Sequence, residues 1–461
     1  MEKEDSVTRK EDNGLEVWMT HRSQTFYVIV LVIFTHGMEF SIMATTLLVY
    51  FTEDIEVSNP DLMYALVSGL KFVPVFVLVI PVSTLIERYR TIRMSMVCLT
   101  GIGCIGYSLY VVTLSPCFQL VGTILGGFVL ILNPIVLSEV MRIYTAKEIP
   151  QRFLAVVISF GAGQAAGPLT VKILSHVDIR LGDIHITYGN VAFLALILLY
   201  MILFLLSIFF VKDLSKEFDL KAHMSGTSTT EDNYAELSTW KGLTQHFPRD
   251  AVLLLFQHVY TCYWCGGIFR MFPYIIQTFG YSNFTLNLCY LGTSVSVTLF
   301  SVILRCLKPS TQILYVIGLV NLVLLAFVQL VVMVIPRVTT TTTTTTNVVF
   351  IMVAVCCYGF GIVADNTFLV TTLGKSFHSY NQTKMEGLRE LFRYTALISS
   401  GLTSPYAYTN MDYIFPLSLV LCAALLVNML VRWNDLRNPK PFERSETIPL
   451  IEKGDHQNIN E

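Results

Sequence analysis

Twelve stretches of this chain run apolar for longer than the ~20 residues of helix that cross a ~30 Å hydrocarbon layer. They fall at residues 25–50, 62–86, 94–114, 118–141, 153–176, 189–211, 251–277, 284–305, 311–335, 348–373, 388–408 and 412–432, and are numbered here as spans 1 to 12. Repetition on this scale leaves few folds. In lipid a backbone must satisfy its own hydrogen bonds, so the spanning choices are helices or a closed barrel. A barrel needs short alternating segments, which these are not. Composition agrees: 53% of the 461 residues are hydrophobic, 14% are charged and the mean hydropathy is +0.60, whereas a soluble chain carries about 25% charged residues. The expectation is an all-α membrane protein of twelve transmembrane helices.

The basic residues orient it. With twelve spans, both termini and every even-numbered connection share one side, and 26 of the 31 Lys and Arg lie there. The opposite side holds Arg180 and Arg337, while Lys71, Lys172 and Arg270 lie within spans. The positive-inside rule then places both termini in the cytosol. Residues 1–24 are polar and do not read as a cleavable signal, and the first apolar block is too long for one. On the non-cytosolic side, Asn283-Phe-Thr285 is a candidate glycosylation site, and residues 339–346 are a run of eight threonines. The sequon Asn381-Gln-Thr383 falls on the cytosolic side and is expected to stay bare. The ten cysteines sit almost wholly in apolar blocks and imply no disulfide framework. Cys262-Tyr-Trp-Cys265 has C-x-x-C spacing, but inside a span it reads as packing. A net charge of −2 and the absence of a basic stripe give no sign of a nucleic-acid partner.

The longest polar interior stretch, 212–250, divides the spans six and six. The expected organisation is a cytosolic tail (1–24), a six-helix bundle (25–211), a cytosolic linker (212–250), a second six-helix bundle (251–432) and a cytosolic tail (433–461). Span 5 carries Gly163-Gln-Ala-Ala-Gly167-Pro168, small residues four apart followed by a helix-bending proline. Its counterpart six helices on, span 11, has Gly401-Leu-Thr-Ser-Pro405. The 2–3 connection reads STLIERYRTIR, with Glu87, Arg88 and Arg90. Gly126-Gly127 in span 4 is matched by Gly359-Phe-Gly361 in span 10.

This set resembles the major facilitator superfamily over residues 25–432. The span 5 motif is similar to its GxxxGP signature, and the 2–3 connection to its GxxxDRxGRR loop, with Glu87 in the acidic place and Ser83 and Arg90 where glycines are usual. The resemblance implies two six-helix pseudo-repeats, alternating access, and a cavity lined by spans 1, 4, 7 and 10. The arginine often found in span 4 is missing, with Gly122 and Thr123 in its neighbourhood, so no mechanism depending on it carries over. Tyr144-Thr-Ala146 after a small-residue span 4, with the Gly-Phe-Gly of span 10, resembles the lysosomal subfamily of the superfamily's domain-containing protein 8 (ceroid-lipofuscinosis type). That implies an endolysosomal solute carrier, or a conductor of small anions such as chloride.

Ionisable residues inside a span default to function, because a charge at the bilayer centre costs ~2.5–3.5 kcal/mol on insertion scales. His36 and Glu39 are three apart on span 1 and share a face; Lys71 lies at similar depth on span 2. His258 and Arg270 on span 7 and Asp365 on span 10 complete the candidate substrate and proton-coupling set. Two readings stand for Glu39 and Lys71: an ion pair locking helices, or a pair lining an aqueous cavity and coupled to protons, a symport arrangement. Each histidine is open to packing or to proton handling. In-span basic groups outnumber Glu39 and Asp365, which tilts the solute towards an anion or zwitterion. Gly163, Gly167, Pro168, Glu87 and Arg88 are the candidate packing and gating residues. Glu139, Arg142 and the cluster Glu386, Arg389, Glu390, Arg393 read first as interfacial charges.

The tail segment Glu446-Thr-Ile-Pro-Leu450-Ile451 resembles the acidic dileucine signal by which clathrin adaptors sort membrane cargo to endosomes and lysosomes, and Tyr234-Ala-Glu-Leu237 has the Tyr-x-x-apolar form. No HExxH, phosphate loop or nucleophile elbow is present, and His36-x-x-Glu39 is too sparse for a metal site, so no enzyme, cofactor or metal is expected. The reading is a secondary transporter in an endolysosomal membrane, with the plasma membrane as the other location. A small-anion channel on the same fold is the alternative.

Overall fold

The computed structural model describes residues 2–89, 91–112, 115–144, 148–181, 184–214, 249–278, 283–307, 310–338, much of 353–369, and 382–432. Apart from one hairpin and short connections the described residues are helical, and the helices fall on the twelve spans. Ten of them are long and apolar enough to cross a membrane. Span 11, Gln382–Thr409, falls short of that hydropathy because Lys384, Glu386, Arg389, Glu390 and Arg393 crowd its first half. Span 10 is described in helical pieces within 353–369. The hairpin lies between spans 5 and 6 and pairs Ile179–Leu181 with Ile184–Ile186 antiparallel, Arg180 opposite His185.

Among the described residues two spans are broken, each where a proline removes a backbone donor. Span 2 runs as Pro60–Leu70 and then Val73–Tyr89. Asn59 caps its start by accepting the Leu62 N–H, and Pro60 at the first helical position needs no donor. Pro74 has no N–H for the Leu70 carbonyl four residues back, and the helix tightens at Lys71, where Phe72 N–H bonds Gly69 O. Span 4 runs as Pro116–Val129 and then Leu132–Ile143. Pro134 likewise frees the Leu130 carbonyl, which accepts instead from Asn133 N–H at 3.1 Å and from the Tyr394 hydroxyl at 3.5 Å. Gly127 sits against the break in span 2: a Cβ there would lie 2.1 Å from the Lys71 carbonyl oxygen. Interrupted helices are tolerated at membrane depth where they face protein or a polar cavity.

Spans 1 and 5 pack as closely as their backbones allow. A Cβ on Gly163 would meet Phe34 O at 1.9 Å, and one on Gly37 would meet Phe160 O at 2.1 Å. Gly167 lies against the Ser41 hydroxyl and Met38 carbonyl of span 1. Small side chains permit this contact, which lipid tails cannot match in van der Waals density. Pro168 lies inside the same unbroken helix, Ile149–Leu174.

The buried apolar side chains form two cores. One is built almost wholly from spans 1–6, including Ile29, Val75, Val129, Phe193 and Tyr200. The other is built almost wholly from spans 7–12, including Leu254, Phe269, Tyr290, Leu322 and Phe415. Outward-facing Ile173, Leu198, Phe209, Leu417 and Val420 are exposed, as lipid-facing residues are. The two sets of six meet along spans 2 and 11: Gly401 lies against the Ser68–Gly69 backbone at one end, and Gly387 against Ser83 at the other. Tyr274 of span 7 donates to Asp61 at the start of span 2 (3.3 Å).

Candidate functional site

A central cavity of ≈ 80 Å³ lies beside the breaks in spans 2 and 4, where the two cores meet, lined among others by His36, Lys71, Asn133, Gln164, Cys262, Asp365, Arg393 and Tyr394. At ~15 Å³ for each water centre, that is room for roughly five waters. Phe40 of span 1 and Phe269 of span 7 lie across the junction with ring centroids 4.8 Å apart.

Glu39 and Lys71 are in direct contact, with side chains 0% and 5% exposed. The second Glu39 oxygen accepts from the Tyr200 hydroxyl of span 6 at 2.8 Å, and Lys71 Nζ also reaches Met43 Sδ at 3.1 Å. The pair is buried, so attraction and hydrogen bonding must offset the loss of bulk water. Tyr200 lies in a stack with Tyr107, whose centroid is 5.1 Å away. Glu39 of span 1 is therefore reached from spans 2 and 6.

His36 faces a second network. Its Nδ1–H donates to Asn133 Oδ1 (2.8 Å), and Asn133 Nδ2 donates to the Tyr394 hydroxyl (2.9 Å), which caps Leu130. One chain of bonds thus links span 1 to span 4 and on to span 11. His36 Nε2 and both amide atoms of Gln164 are buried with no hydrogen-bond partner among the described residues. Three unsatisfied polar atoms at the cavity wall are groups that water or a solute would satisfy.

In the second set of helices, His258 Nδ1 and Asp365 Oδ2 are 2.5 Å apart, joining span 7 to span 10. Arg270 donates to Leu397 O (2.9 Å) and Ser400 Oγ (2.6 Å) of span 11, and its guanidinium lies 5.5 Å from the Phe72 ring centre. It ties helices together rather than lining the cavity. Lys172 lies exposed in the last turn of span 5, away from mid-depth. The cluster read first as interfacial is buried instead. Arg389 bonds Glu386 (2.8 Å) and Glu390 (2.6 Å), and Glu390 also holds Arg393 (3.2 Å), with Glu386, Arg389 and Glu390 all under 4% exposed. Arg393 thereby reaches the cavity wall. Glu139 and Arg142, at 3.9 Å, are buried too.

Of the loop residues, Arg88 is exposed over the Tyr89 ring (5.5 Å). Glu87 closes the last turn of span 2, and its side chain, like Arg90, lies outside the described residues. Arg93 does the joining there: its N–H bonds Asp213 (2.9 Å) and its guanidinium bonds Ile208 O (2.6 Å) at the end of span 6. Asn283 is the first residue of span 8, with its side chain outside the described set. Glu446, Leu450, Ile451, Tyr234 and the threonine run also lie outside it.

Asn133, Tyr394, Tyr200 and Gln164 were not singled out in the sequence. Asn133 and Gln164 left a signal, being polar residues inside apolar runs, one before a helix-breaking proline and one inside the small-residue motif. The tyrosines left none, since tyrosine is common at both membrane depths.

The Major Facilitator Superfamily model matches residues 29–401, and the chain belongs to that family. It is thus a transporter of small solutes through the bilayer and not an enzyme. No curated protein sequence matches it. Among solved structures it is similar to a bacterial homologue of the human drug peptide transporters PepT1 and PepT2, with TM-score 0.57, 14% identity, and coverage of 90% of this chain and 99% of that one. Tetrameric PepTSo2 is similar at TM-score 0.57 and 15% identity, with the same coverage. The human organic anion transporter MFSD10 (TETRAN) is similar at TM-score 0.61 and 11% identity, again covering 90% and 99%. At these identities the likeness is one of fold.

Proposed function

We propose that this protein is a secondary active transporter that moves a small anionic or zwitterionic solute by alternating access, coupled to protons, across an endolysosomal membrane. The observation that carries the reading is the buried Glu39–Lys71 pair at a break in span 2, beside a central cavity that holds unsatisfied polar atoms. Lys71 and Arg393 supply positive charge at the cavity wall, and His36 Nε2 and the Gln164 amide supply hydrogen bonds. Protonating Glu39 neutralises the counter-ion of Lys71 and frees that cation for an anionic group on the solute. Losing the proton restores the pair and expels the solute. The two six-helix units, 25–211 and 251–432, rock about the cavity, with the close-packed Gly163–Gly167–Pro168 segment as a fulcrum against span 1.

The solutes named for the similar structures, peptides and organic anions, belong to this charge class. Their identity to this chain carries the fold alone, so the reading rests on the cavity's own residues. The address rests on Glu446, Leu450 and Ile451 in the C-terminal tail, which would meet a clathrin adaptor in the cytosol; Asn283, as a glycosylated position, would mark the non-cytosolic side.

The test is uptake by proteoliposomes of a pool of labelled anionic and zwitterionic metabolites against a pool of cationic ones. The proposal expects saturable, gradient-dependent uptake of the first pool only. Uptake of cations alone, or a non-saturating chloride current with no solute uptake, overturns it; the current would establish the channel alternative.

A further inference from the structure

Three metal-ligating side chains converge at the cavity wall. His258, Cys262 and Asp365 each offer a ligand atom, and these atoms all lie within 4.8 Å of one another; no other such group occurs among the described residues. His258 and Cys262 are four apart on span 7, one turn along the same face. Asp365 arrives from span 10, so the set is assembled only by folding and has no motif spacing. His258 is 0% exposed and Asp365 3%. Cys262 and Asp365 line the cavity.

We propose that this triad is a site for a divalent transition-metal ion of the zinc class, with its fourth coordination position open to the cavity. The donor chemistry selects the ion. One imidazole, one thiolate and one carboxylate suit zinc and its neighbours, whereas calcium takes six to eight oxygens. Charge selects it as well: a thiolate and a carboxylate beside a neutral imidazole carry −2, which a dication cancels in a region where unbalanced charge is costly.

The geometry is close to the one required. Bonds of roughly 2.0–2.3 Å give a tetrahedron with edges of roughly 3.3–3.7 Å. Cys262 Sγ lies 3.6 Å from His258 Nδ1, already such an edge. His258 Nδ1 and Asp365 Oδ2, at 2.5 Å, share a hydrogen bond and must part by roughly 1 Å to admit the ion. That is a small side-chain movement beside a cavity. Three protein ligands and one open position is the arrangement of zinc sites that exchange their fourth ligand, here for water or for a donor atom of the transported solute.

The test uses full-length protein in detergent, with cobalt(II) as a spectroscopic probe. A thiolate ligand gives a sulfur-to-cobalt charge-transfer band in the near ultraviolet. Wild type is expected to develop that band at one equivalent and to lose it on adding zinc. Cys262→Ser is expected to abolish the band, while Cys265→Ser, one turn on, keeps it. Asp365→Asn should weaken cobalt binding by at least roughly tenfold, since even partners outside the ligand set are worth 10–100-fold. A second measurement needs no variant: zinc should slow alkylation of Cys262 by a maleimide, read by peptide mass spectrometry, and leave Cys98 unchanged. The proposal is overturned if wild type shows no band, if the band survives in Cys262→Ser, or if zinc leaves Cys262 alkylation unaltered. None of these readouts depends on transport or on Glu39.

Discussion

Replacing Lys71 by methionine removes the cation from beside a carboxylate that is wholly buried, with Glu39 at 0% exposure. The Tyr200 hydroxyl at 2.8 Å remains, but it brings no charge. The folded variant escapes an unpaired buried anion by binding a proton at Glu39. At pH 7 that proton costs about 1.36 kcal/mol for each unit above the ordinary glutamate value of about 4.3, or about 3.7 kcal/mol. This falls within the ~3–5 kcal/mol found when one partner of a buried pair is removed. At pH 5 the same arithmetic leaves about 1 kcal/mol. The sign follows from proton counts: the folded variant holds a proton that the unfolded chain has released, so its deficit shrinks as pH falls. The assay is equilibrium unfolding in mixed micelles, followed by tryptophan fluorescence, with wild type measured at each pH. Lys71→Met with Glu39→Gln should recover most of the loss at pH 7, since a pair replaced on both sides leaves no orphan charge. An equal deficit at pH 7 and pH 5, or a double variant no more stable than the single one, would refute the reasoning.

Gly163→Ala forces a methyl group into a 1.9 Å gap against Phe34 O and should cost ~1–3 kcal/mol, read by unfolding in the same micelles. Gly267→Ala, whose nearest outside atom is 3.9 Å away, should be silent. Tyr394→Phe leaves the Asn133 amide without its acceptor and removes the second of two hydrogen bonds to Leu130 O, and should destabilise by ~1–3 kcal/mol while raising the KM for solute. Arg389→Lys keeps the charge but loses the fork that holds Glu386 and Glu390 together. It should lower thermal stability measurably, where a merely interfacial arginine would tolerate the change. Asn283→Gln should abolish an endoglycosidase-sensitive mobility shift that Asn381→Gln leaves intact, and Leu450→Ala with Ile451→Ala should move the protein to the plasma membrane by surface biotinylation.

The helices were legible because spacing and hydropathy are local: a run such as 189–211 can do little else in lipid. The breaks in spans 2 and 4 were not anticipated. Pro74 and Pro134 announce a lost hydrogen bond, but which side of each break faces a cavity depends on Gly127 and Tyr394 from other helices. Glu39 and Lys71 were found from depth alone, because a charge buried in an apolar run calls for a partner. Arg389, Glu386 and Glu390 misled, since i,i+3 charges at a helix start look the same whether water or a second helix covers them; Gly387 packing on Ser83 decides it. Asn133 joins His36, 97 residues before it, to Tyr394, 261 residues after it, and no local pattern encodes those contacts.

The central claim is that Glu39 couples protons to solute movement through Lys71. It is met most directly by proton flux into proteoliposomes carrying an internal pH dye, wild type beside Glu39→Gln, with pooled anionic and zwitterionic metabolites or with chloride outside. Solute-dependent proton flux is expected in wild type and none in Glu39→Gln. Equal proton flux in both proteins, or a chloride current in both without proton movement, would contradict it and leave the buried pair a structural lock.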